Sequence, residues 1–326
     1  MNTHKSQLKG IFPVVPTPLL EDQNIDFDGL PDCIEYYLNT EVNGLTIMGS
    51  GGELPYFTDS EQFALAKSVS EIVAKRKPLI MGINAYSEYH AIERCCTIGE
   101  HADYLMLLLT GYYKQPFDLM LQTLTTIANA SPVPLIYYHF PQVSGQFLTS
   151  FQLVQILKID NIIGIKDSAL HHKTAHQVLQ QVPDTAYFSG LSLALPDLLN
   201  HGGAGAICPI SAIAPKVGAA FYQALQASHE VLANEALTTL NALLPIANNL
   251  NMSAKLQGLA LKLISKAPLP LLKNAGSPHA ASKEALRLLG MPISATVRAP
   301  LPSLKSGDSE KVRDVLRSAG LITFER

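Results

Sequence analysis

The chain has 326 residues, 47% of them hydrophobic and 16% charged, with no tryptophan and 24 Lys plus Arg against 27 Asp plus Glu, a net charge of −3. That much apolar material buries a large core and excludes a disordered chain, and the balanced charge excludes a nucleic-acid surface, the strongest basic run being only Lys75-Arg76-Lys77. No apolar run reaches the ~18 residues a membrane helix needs. The polar opening, Met1 to Lys9, leads directly into a strand-like segment. It therefore reads as lacking a signal peptide, and the expected compartment is the cytoplasm. Cys33, Cys95, Cys96 and Cys208 show neither a Cys-x-x-Cys pair nor metal-finger spacing, so free thiols in a reducing compartment are expected. A catalytic thiol at Cys208 has nothing to support it.

In chain order, short apolar runs are predicted as strands at Ile11–Val15, Gly44–Met48, Pro78–Ile83, Tyr104–Leu109, Pro134–Tyr138, Ile162–Ile165, Ala186–Ser189 and Gly205–Cys208. They are apolar on both faces, as parallel strands covered by helices must be. Between them lie stretches of helical period. Asp59–Ala74 is one, with Phe63, Ala66, Val69, Ile72 and Val73 on its apolar side, and Asp59 and Gln62 at the spacing of a capping box. Eight βα units by residue 208 exceed the usual doubly wound sheet and close into a barrel. The expected architecture is a (β/α)8 TIM barrel over residues 1–228. A C-terminal helical region over 229–326 follows, with helices at 229–250, 253–267, 279–290 and 308–319. The Pro- and Ala-rich stretch Ala267–Ser282 has no assigned role.

Active sites of such barrels lie at the C-terminal ends of the strands. After the second strand comes Gly49-Ser50-Gly51-Gly52-Glu53, whose glycines allow close backbone approach and whose N–H groups, with the Ser50 hydroxyl, suit a carboxylate or phosphate. Leu54 stands where G-x-G-x-x-G needs its last glycine, so a dinucleotide loop is disfavoured. After the fourth strand come Tyr112-Tyr113, and the fifth ends in Tyr137-Tyr138. A phenol there either packs or, aimed into the mouth, relays protons. Lys166 ends a strand of nearly pure hydrocarbon. Burial disfavours an ammonium, and a neutral amine attacks carbonyl groups to give an imine. The competing reading is a lysine that snorkels to solvent or pairs with Asp167.

Gly-Ser-Gly-Gly-Glu after strand two, Tyr-Tyr after strand four, Tyr-x-x-Pro-x-x-x-Gly at 138–145 and Ile-Ile-Gly-Ile-Lys-Asp at 162–167 together resemble the dihydrodipicolinate synthase/N-acetylneuraminate lyase family of class I aldolases. The resemblance runs from about Lys9 to Cys208 and resumes at Arg298-Ala-Pro-Leu and Ser318-Ala-Gly-Leu. It implies that Lys166 forms an imine with pyruvate or another 2-oxo acid and that Tyr138 moves protons. Ser50 and Gly51 would hold the substrate carboxylate, and Gly190 and Ile207 would border the pyruvyl pocket. Tyr113 would cross a tight interface into a neighbouring site, which implies a homodimer or homotetramer. The covalent imine implies no separate cofactor and no metal. The partners implied are a 2-oxo acid and an aldehyde.

The departures bear on substrate. The synthase carries an arginine where this chain has Val143, and valine cannot grip a second substrate's carboxylate. The second threonine of the synthase's Gly-Thr-Thr-Gly-Glu is Gly51 here, which removes a hydroxyl. Gly-Ser-Gly-Gly-Glu and Phe140-Pro-x-x-x-Gly-Gln146 are most similar to the 2-keto-3-deoxy-sugar-acid aldolases, and Met48-Gly-Ser-x-Gly-Glu is also similar to 4-hydroxy-2-oxoglutarate aldolase. Gly190-Leu191-Ser192-Leu193-Ala194 lacks the acidic residues that sugar-acid aldolases often place there, so a smaller or more apolar aldehyde is expected. Dihydrodipicolinate synthase and N-acetylneuraminate lyase activities are the alternatives.

Three readings from other classes compete. A metal-dependent aldolase would use His172 and His176, an i, i+4 pair beside His171. No third ligand with zinc spacing is visible, so they read as a solvated face. A serine hydrolase needs G-x-S-x-G, which is absent. A non-catalytic barrel with a binding role is motivated by Val143 and the altered region after Gly190, and opposed by Lys166, Tyr113 and Tyr138.

Overall fold

All eight expected strands are present, within two residues of the expected bounds: β1 Gly10–Pro13, β2 Leu45–Ile47, β3 Leu79–Ala85, β4 Tyr104–Leu109, β5 Leu135–His139, β6 Ile162–Asp167, β7 Ala186–Ser189 and β8 Gly205–Cys208. They come from a computed structural model that describes residues 8–247, 250 and 277–323. Every pairing is parallel, in the order β1-β8-β7-β6-β5-β4-β3-β2. A bridge from Val14 to Thr46 brings β1 up to β2 and closes the ring. The expected (β/α)8 barrel is thus the observed one.

Strand periodicity explains the two apolar faces. Along β4, Leu105, Leu107 and Leu109 point to the helices, whereas Met106 and Leu108 fill the barrel. Phe12, Ile136, Tyr138, Phe188 and Ile207 join the interior set. Cys208 has the opposite parity and lies buried between sheet and helices, away from the mouth, which removes it as a nucleophile. Cys33 and Cys95 are also buried free thiols, and burial pushes both up to about 12.

Each strand is followed by a helix: α1 Leu30–Leu38, α2 Asp59–Val73, α3 Glu88–Gly99, α4 Phe117–Ala130, α5 Ser150–Leu157, α6 His172–Gln181, α7 Leu195–Asn200 and α8 Pro215–Gln226. The start of α2 needs correction. Its N-cap is Thr58, whose hydroxyl accepts from the Glu61 N–H while the Glu61 carboxylate accepts from the Thr58 N–H. Asp59 is the first helical residue. Gln62 turns inward, donating to the Leu54 and Phe57 carbonyls and accepting from Arg94. Phe63, expected on the packed side, is exposed, since the buried stripe is Gln62, Leu65, Ala66, Val69 and Val73.

Beyond the barrel lie α9 Glu230–Ala242, α10 His279–Leu288 and α11 Asp308–Ser318. The expected helix over 229–250 is interrupted at Leu243 and resumes for one turn at Leu244–Ala247. The helix expected at 253–267 and most of the Ala267–Ser282 stretch lie outside the described residues. Leu240, Ile246, Leu286, Val312 and Leu316 enter the same continuous core as the helix-facing side of the sheet. No helix among the described residues is long and apolar enough to cross a membrane.

Arg298 ties the C-terminal segment to α2. Its guanidinium, 2.7 Å from the Glu61 carboxylate, holds that carboxyl down at about 2 against the opposing effect of burial. A carboxyl lowered on folding stabilises fully above its unfolded value near 4.5, and this contribution is lost as pH falls from there to about 2. Glu61→Gln should therefore lose less stability than the parent between pH 7 and pH 3 in urea unfolding. Equal losses would refute this tie.

Candidate active site

Lys166 is placed by β6. Its register partners are Tyr138 on β5 and Phe188 on β7, so three inward-facing side chains stand abreast. A register shift between Leu135 and Ile136 of β5, opposite Ile163, sets this alignment. Lys166 is 3% exposed, and its Nζ sits 4.2 Å from the centre of the Tyr138 ring. Among the described residues it has no ion pair and no hydrogen bond. Neither the snorkelling nor the Asp167-paired lysine is observed.

Alternation along β6 sends Asp167 the other way. There its Oδ1 meets His139 Nδ1 at 2.8 Å and the Ala169 N–H at 2.9 Å, and its Oδ2 accepts from the Tyr187 hydroxyl at 2.8 Å. Burial works to raise this carboxyl, but the hydrogen bonds from His139, Tyr187 and Ala169 outweigh it and hold it below its ordinary value. The negative charge is thus spent behind the sheet, and among the described residues the Lys166 side of β6 has no counter-ion.

Against the Tyr138 hydroxyl lies the turn after β2. Ser50–Gly52 is a single 3₁₀ turn, closed by the Gly52 N–H donating to Gly49 O. Such a turn leaves the N–H groups of its first residues, Ser50 and Gly51, without intrahelical acceptors. A Cβ on Gly49 would stand 2.7 Å from Val14 Cγ1, so only glycine lets the turn lie this close to β1. The Ser50 hydroxyl is 3.4 Å from the Tyr138 hydroxyl, and Tyr138 stacks on Phe140, with ring centres 5.4 Å apart. Tyr138 is therefore brought against Lys166 and, through its hydroxyl, against Ser50, whose neighbour in the turn is Gly51.

The C-terminal region supplies residues that the sequence reading did not find. His279, at the start of α10, meets Ser50 O through Nε2 at 2.7 Å, while its Nδ1 lies 2.6 Å from the Ser277 hydroxyl. Burial lowers the affinity of His279 for a second proton. Glu53, left-handed at φ 65° and wholly buried, has Lys283 Nζ 2.5 Å from its Oε1, and its Oε2 accepts from the Arg298 N–H at 2.7 Å. Lys283 also donates to Thr296 O. Burial pushes the Lys283 ammonium down, and the adjacent Glu53 carboxylate opposes that shift. The one available signal was Glu53 itself: a carboxylate inside an apolar layer demands a cation from elsewhere in the chain.

The remaining expected residues divide. A Cβ on Gly190 would fall 2.4 Å from Ser168 Oγ, so Gly190 permits the loops after β6 and β7 to meet at the mouth. Ile207 is fully buried on the inner face of β8. In the loop after β7, Ser192 is buried and bonded to the Ser211 hydroxyl at 2.5 Å, so it offers the pocket nothing polar. Val143, on the turn Pro141–Ser144, is exposed. Tyr113 does not join the cluster. It is 80% exposed and packs edge-on against Tyr112, itself 93% exposed, with ring centres 5.0 Å apart.

Among the described residues the site therefore combines a buried amine without ion pair or hydrogen bond, a phenol ring against it, a hydroxyl near the phenol and a turn whose first N–H groups have no protein acceptor. That set can form an imine, move protons and hold a carboxylate.

Comparison with known proteins gives the following. The model of the dihydrodipicolinate synthetase family matches residues 7–277. The 4-hydroxy-tetrahydrodipicolinate synthase of Coxiella burnetii is 28% identical over 289 residues, covering 86% of this chain and 98% of the relative. A probable 2-dehydro-3-deoxy-D-pentonate aldolase, YjhH of Escherichia coli K12, is 28% identical over 67% of this chain and 74% of its own. Among solved structures, YagE, a prophage protein of E. coli K12 belonging to the dihydrodipicolinic acid synthase family and solved with pyruvate, superposes with a TM-score of 0.81 at 25% identity, covering 97% of this chain and 100% of that one.

Proposed function

Because the chain belongs to the dihydrodipicolinate synthetase family, whose members are lyases and aldolases, we propose that it cleaves a 2-keto-3-deoxy acid or 4-hydroxy-2-oxo acid to pyruvate and an aldehyde, or runs the reverse condensation, through an imine on Lys166. The carrying observation is the inward, buried Lys166 amine against the Tyr138 ring, with no ion pair among the described residues. The amine adds to the C2 ketone and water leaves. As the C3–C4 bond breaks, its electrons pass to the iminium nitrogen and the C4 hydroxyl loses its proton, releasing the aldehyde. The resulting enamine takes a proton at C3, and hydrolysis frees pyruvate and the amine. Tyr138, with Ser50 3.4 Å away, carries these protons. The Ser50 hydroxyl and the N–H groups of Ser50 and Gly51 hold the carboxylate, and Gly190 and Ile207 wall the pyruvyl end. The iminium nitrogen is itself the electron sink, so this step needs no further cofactor.

Val143 and the Ser192–Ser211 bond favour a substrate whose aldehyde half carries no charge at that end, which supports the keto-deoxy acid over the synthase reaction. The test is borohydride reduction in the presence of pyruvate, followed by peptide mass spectrometry. A pyruvyl adduct on Lys166 is expected. No adduct, or one on another lysine, removes the mechanism. A panel of 2-keto-3-deoxy acids, 4-hydroxy-2-oxoglutarate, N-acetylneuraminate and aspartate semialdehyde then ranks substrates. Tyr138→Phe should lower kcat by roughly 10²–10⁴, the worth of acid–base assistance, and unchanged kcat would leave the phenol a packing group. The exposed Tyr112–Tyr113 pair supports a homodimer or homotetramer in which a second copy covers it and Tyr113 enters the neighbouring site. Light scattering that finds a fully active monomer would refute this.

A further inference from the structure

Outside the barrel interior, the helices after β6 and β7 carry a cluster that the proposed reaction does not use. His172 and His176 project from the same side of α6, one turn apart, and Asp197 of α7 faces them. His172 Nδ1 lies 2.7 Å and His176 Nε2 2.8 Å from the same oxygen, Asp197 Oδ2. The three ligand atoms lie within 4.8 Å of one another. His201, which follows α7, stacks on His176 with ring centres 3.5 Å apart and planes 12° apart, while its own Nδ1 is held by Asp197 O at 2.8 Å. That stack restricts the His176 ring as an outer-shell partner restricts a metal ligand. Beside the triad, a cavity of about 20 Å³, lined by Asp167, Leu170, His172, Tyr187 and Asp197, is large enough for one water.

We propose that His172, His176 and Asp197 bind one zinc-type divalent transition-metal ion, with a water as fourth ligand, and that the ion pins α6 to α7. Two imidazole nitrogens and one carboxylate oxygen with an open fourth position are a zinc donor set, and nitrogen donors disfavour magnesium and calcium. Bonds of roughly 2.0–2.1 Å at tetrahedral angles put ligand atoms roughly 3.3 Å apart. The His–Asp pairs at 2.7 and 2.8 Å need therefore open by about 0.5 Å, and the histidine nitrogens, at most 4.8 Å apart, close by at most about 1.5 Å, changes that partly exposed side chains make by rotation. The triad sits on the helix side of the sheet, where Asp167 and Tyr187 also point, and not on the Lys166 side. The ion is accordingly a tether: it fixes the first turn of α6 against α7, and with it the loops after β6 and β7 that meet at Gly190. The sequence showed only the i, i+4 pair, because Asp197 lies 21 residues beyond His176 and approaches through the fold.

The test uses the full-length protein stripped with EDTA and titrated with ZnCl2 in competition with a chromophoric chelator. One zinc per chain is expected, with no competition from magnesium or calcium. His176→Ala and Asp197→Asn should each weaken binding by at least about 100-fold, and His229→Ala, on α9's cap, should not. Saturating zinc should raise Tm by roughly 3–5 °C in the parent and leave both ligand variants unmoved. Circular dichroism of the variants in EDTA, matching that of the parent, keeps a folding defect distinct from a lost ligand. Substoichiometric zinc, or equal binding by parent and folded variants, would overturn the site and leave a hydrogen-bonded His–Asp cluster. The readouts are metal affinity and Tm, so neither outcome depends on the imine at Lys166.

Discussion

Lys166→Ala is expected to abolish borohydride trapping of pyruvate and to lower turnover of any substrate found in the panel by roughly 10⁶, the scale of loss when a covalent nucleophile is removed from an otherwise intact site. Its effect on stability should be small or favourable. Among the described residues the amine has no ion pair or hydrogen bond and only the Tyr138 ring against it, so the folded state carries a poorly compensated polar group that alanine deletes. Against that stands a modest cavity bounded by Tyr138 and Phe188. Tm at or above that of the parent, together with lost turnover, would identify a residue kept for chemistry at the expense of packing. Retained turnover, or an adduct that persists in the variant, would end the imine reading. A Tm several degrees lower would mean that the contact of Lys166 with the Tyr138 ring helps to hold the barrel together.

Lys283→Ala is expected to have the largest effect on stability, about 3–5 kcal/mol, the usual result of breaking a wholly buried ion pair from one side. Lys283 and Glu53 are both 0% exposed, and Nζ lies 2.5 Å from Oε1. Removing the cation strands a carboxylate beneath the Ser50–Gly52 turn and withdraws the link from α10 to Thr296 O. Urea unfolding should show the loss as a lower midpoint. The double variant Glu53→Gln/Lys283→Met should recover much of it, since a neutral amide still accepts from the Arg298 N–H and methionine refills the volume. If the single variant costs under about 1 kcal/mol, or the double variant is worse than the single, the pair is not what anchors the C-terminal helices to the site.

These two lysines show where sequence reasoning reached and where it stopped. Lys166 was legible because a strand is local. Its apolar run, its parity and its position at the strand end follow from period-2 alternation within six residues, and the imine role proposed for it comes from the family resemblance of the neighbouring strand ends. Lys283 was not legible. It lies on an amphipathic helix 230 residues from Glu53, and nothing within its own helix distinguishes it from a solvated lysine. The misplaced cap of α2 is a smaller case. Thr58 and Asp59 are both good caps, each with an acid or amide three residues on; Thr58 pairs reciprocally with Glu61, while Gln62 is drawn inward to Leu54, Phe57 and Arg94. Tyr113 marks a third limit, since it lies exposed beside Tyr112 and no contact within the described residues assigns it a role.

By itself, then, the order of residues determined the eight βα units, the parallel barrel and the strand ends that bear Ser50, Tyr138 and Lys166, because hydrophobic period and turn chemistry act over a few residues. Tertiary structure alone decided that Asp167, sent behind the sheet by alternation, meets His139 and Tyr187 there, that His279 and Lys283 brace the turn after β2, and that Asp197 closes the histidine pair. Burial sets these partnerships: a charge taken out of water must find a partner in space, and the partner's distance along the chain carries no energy of its own.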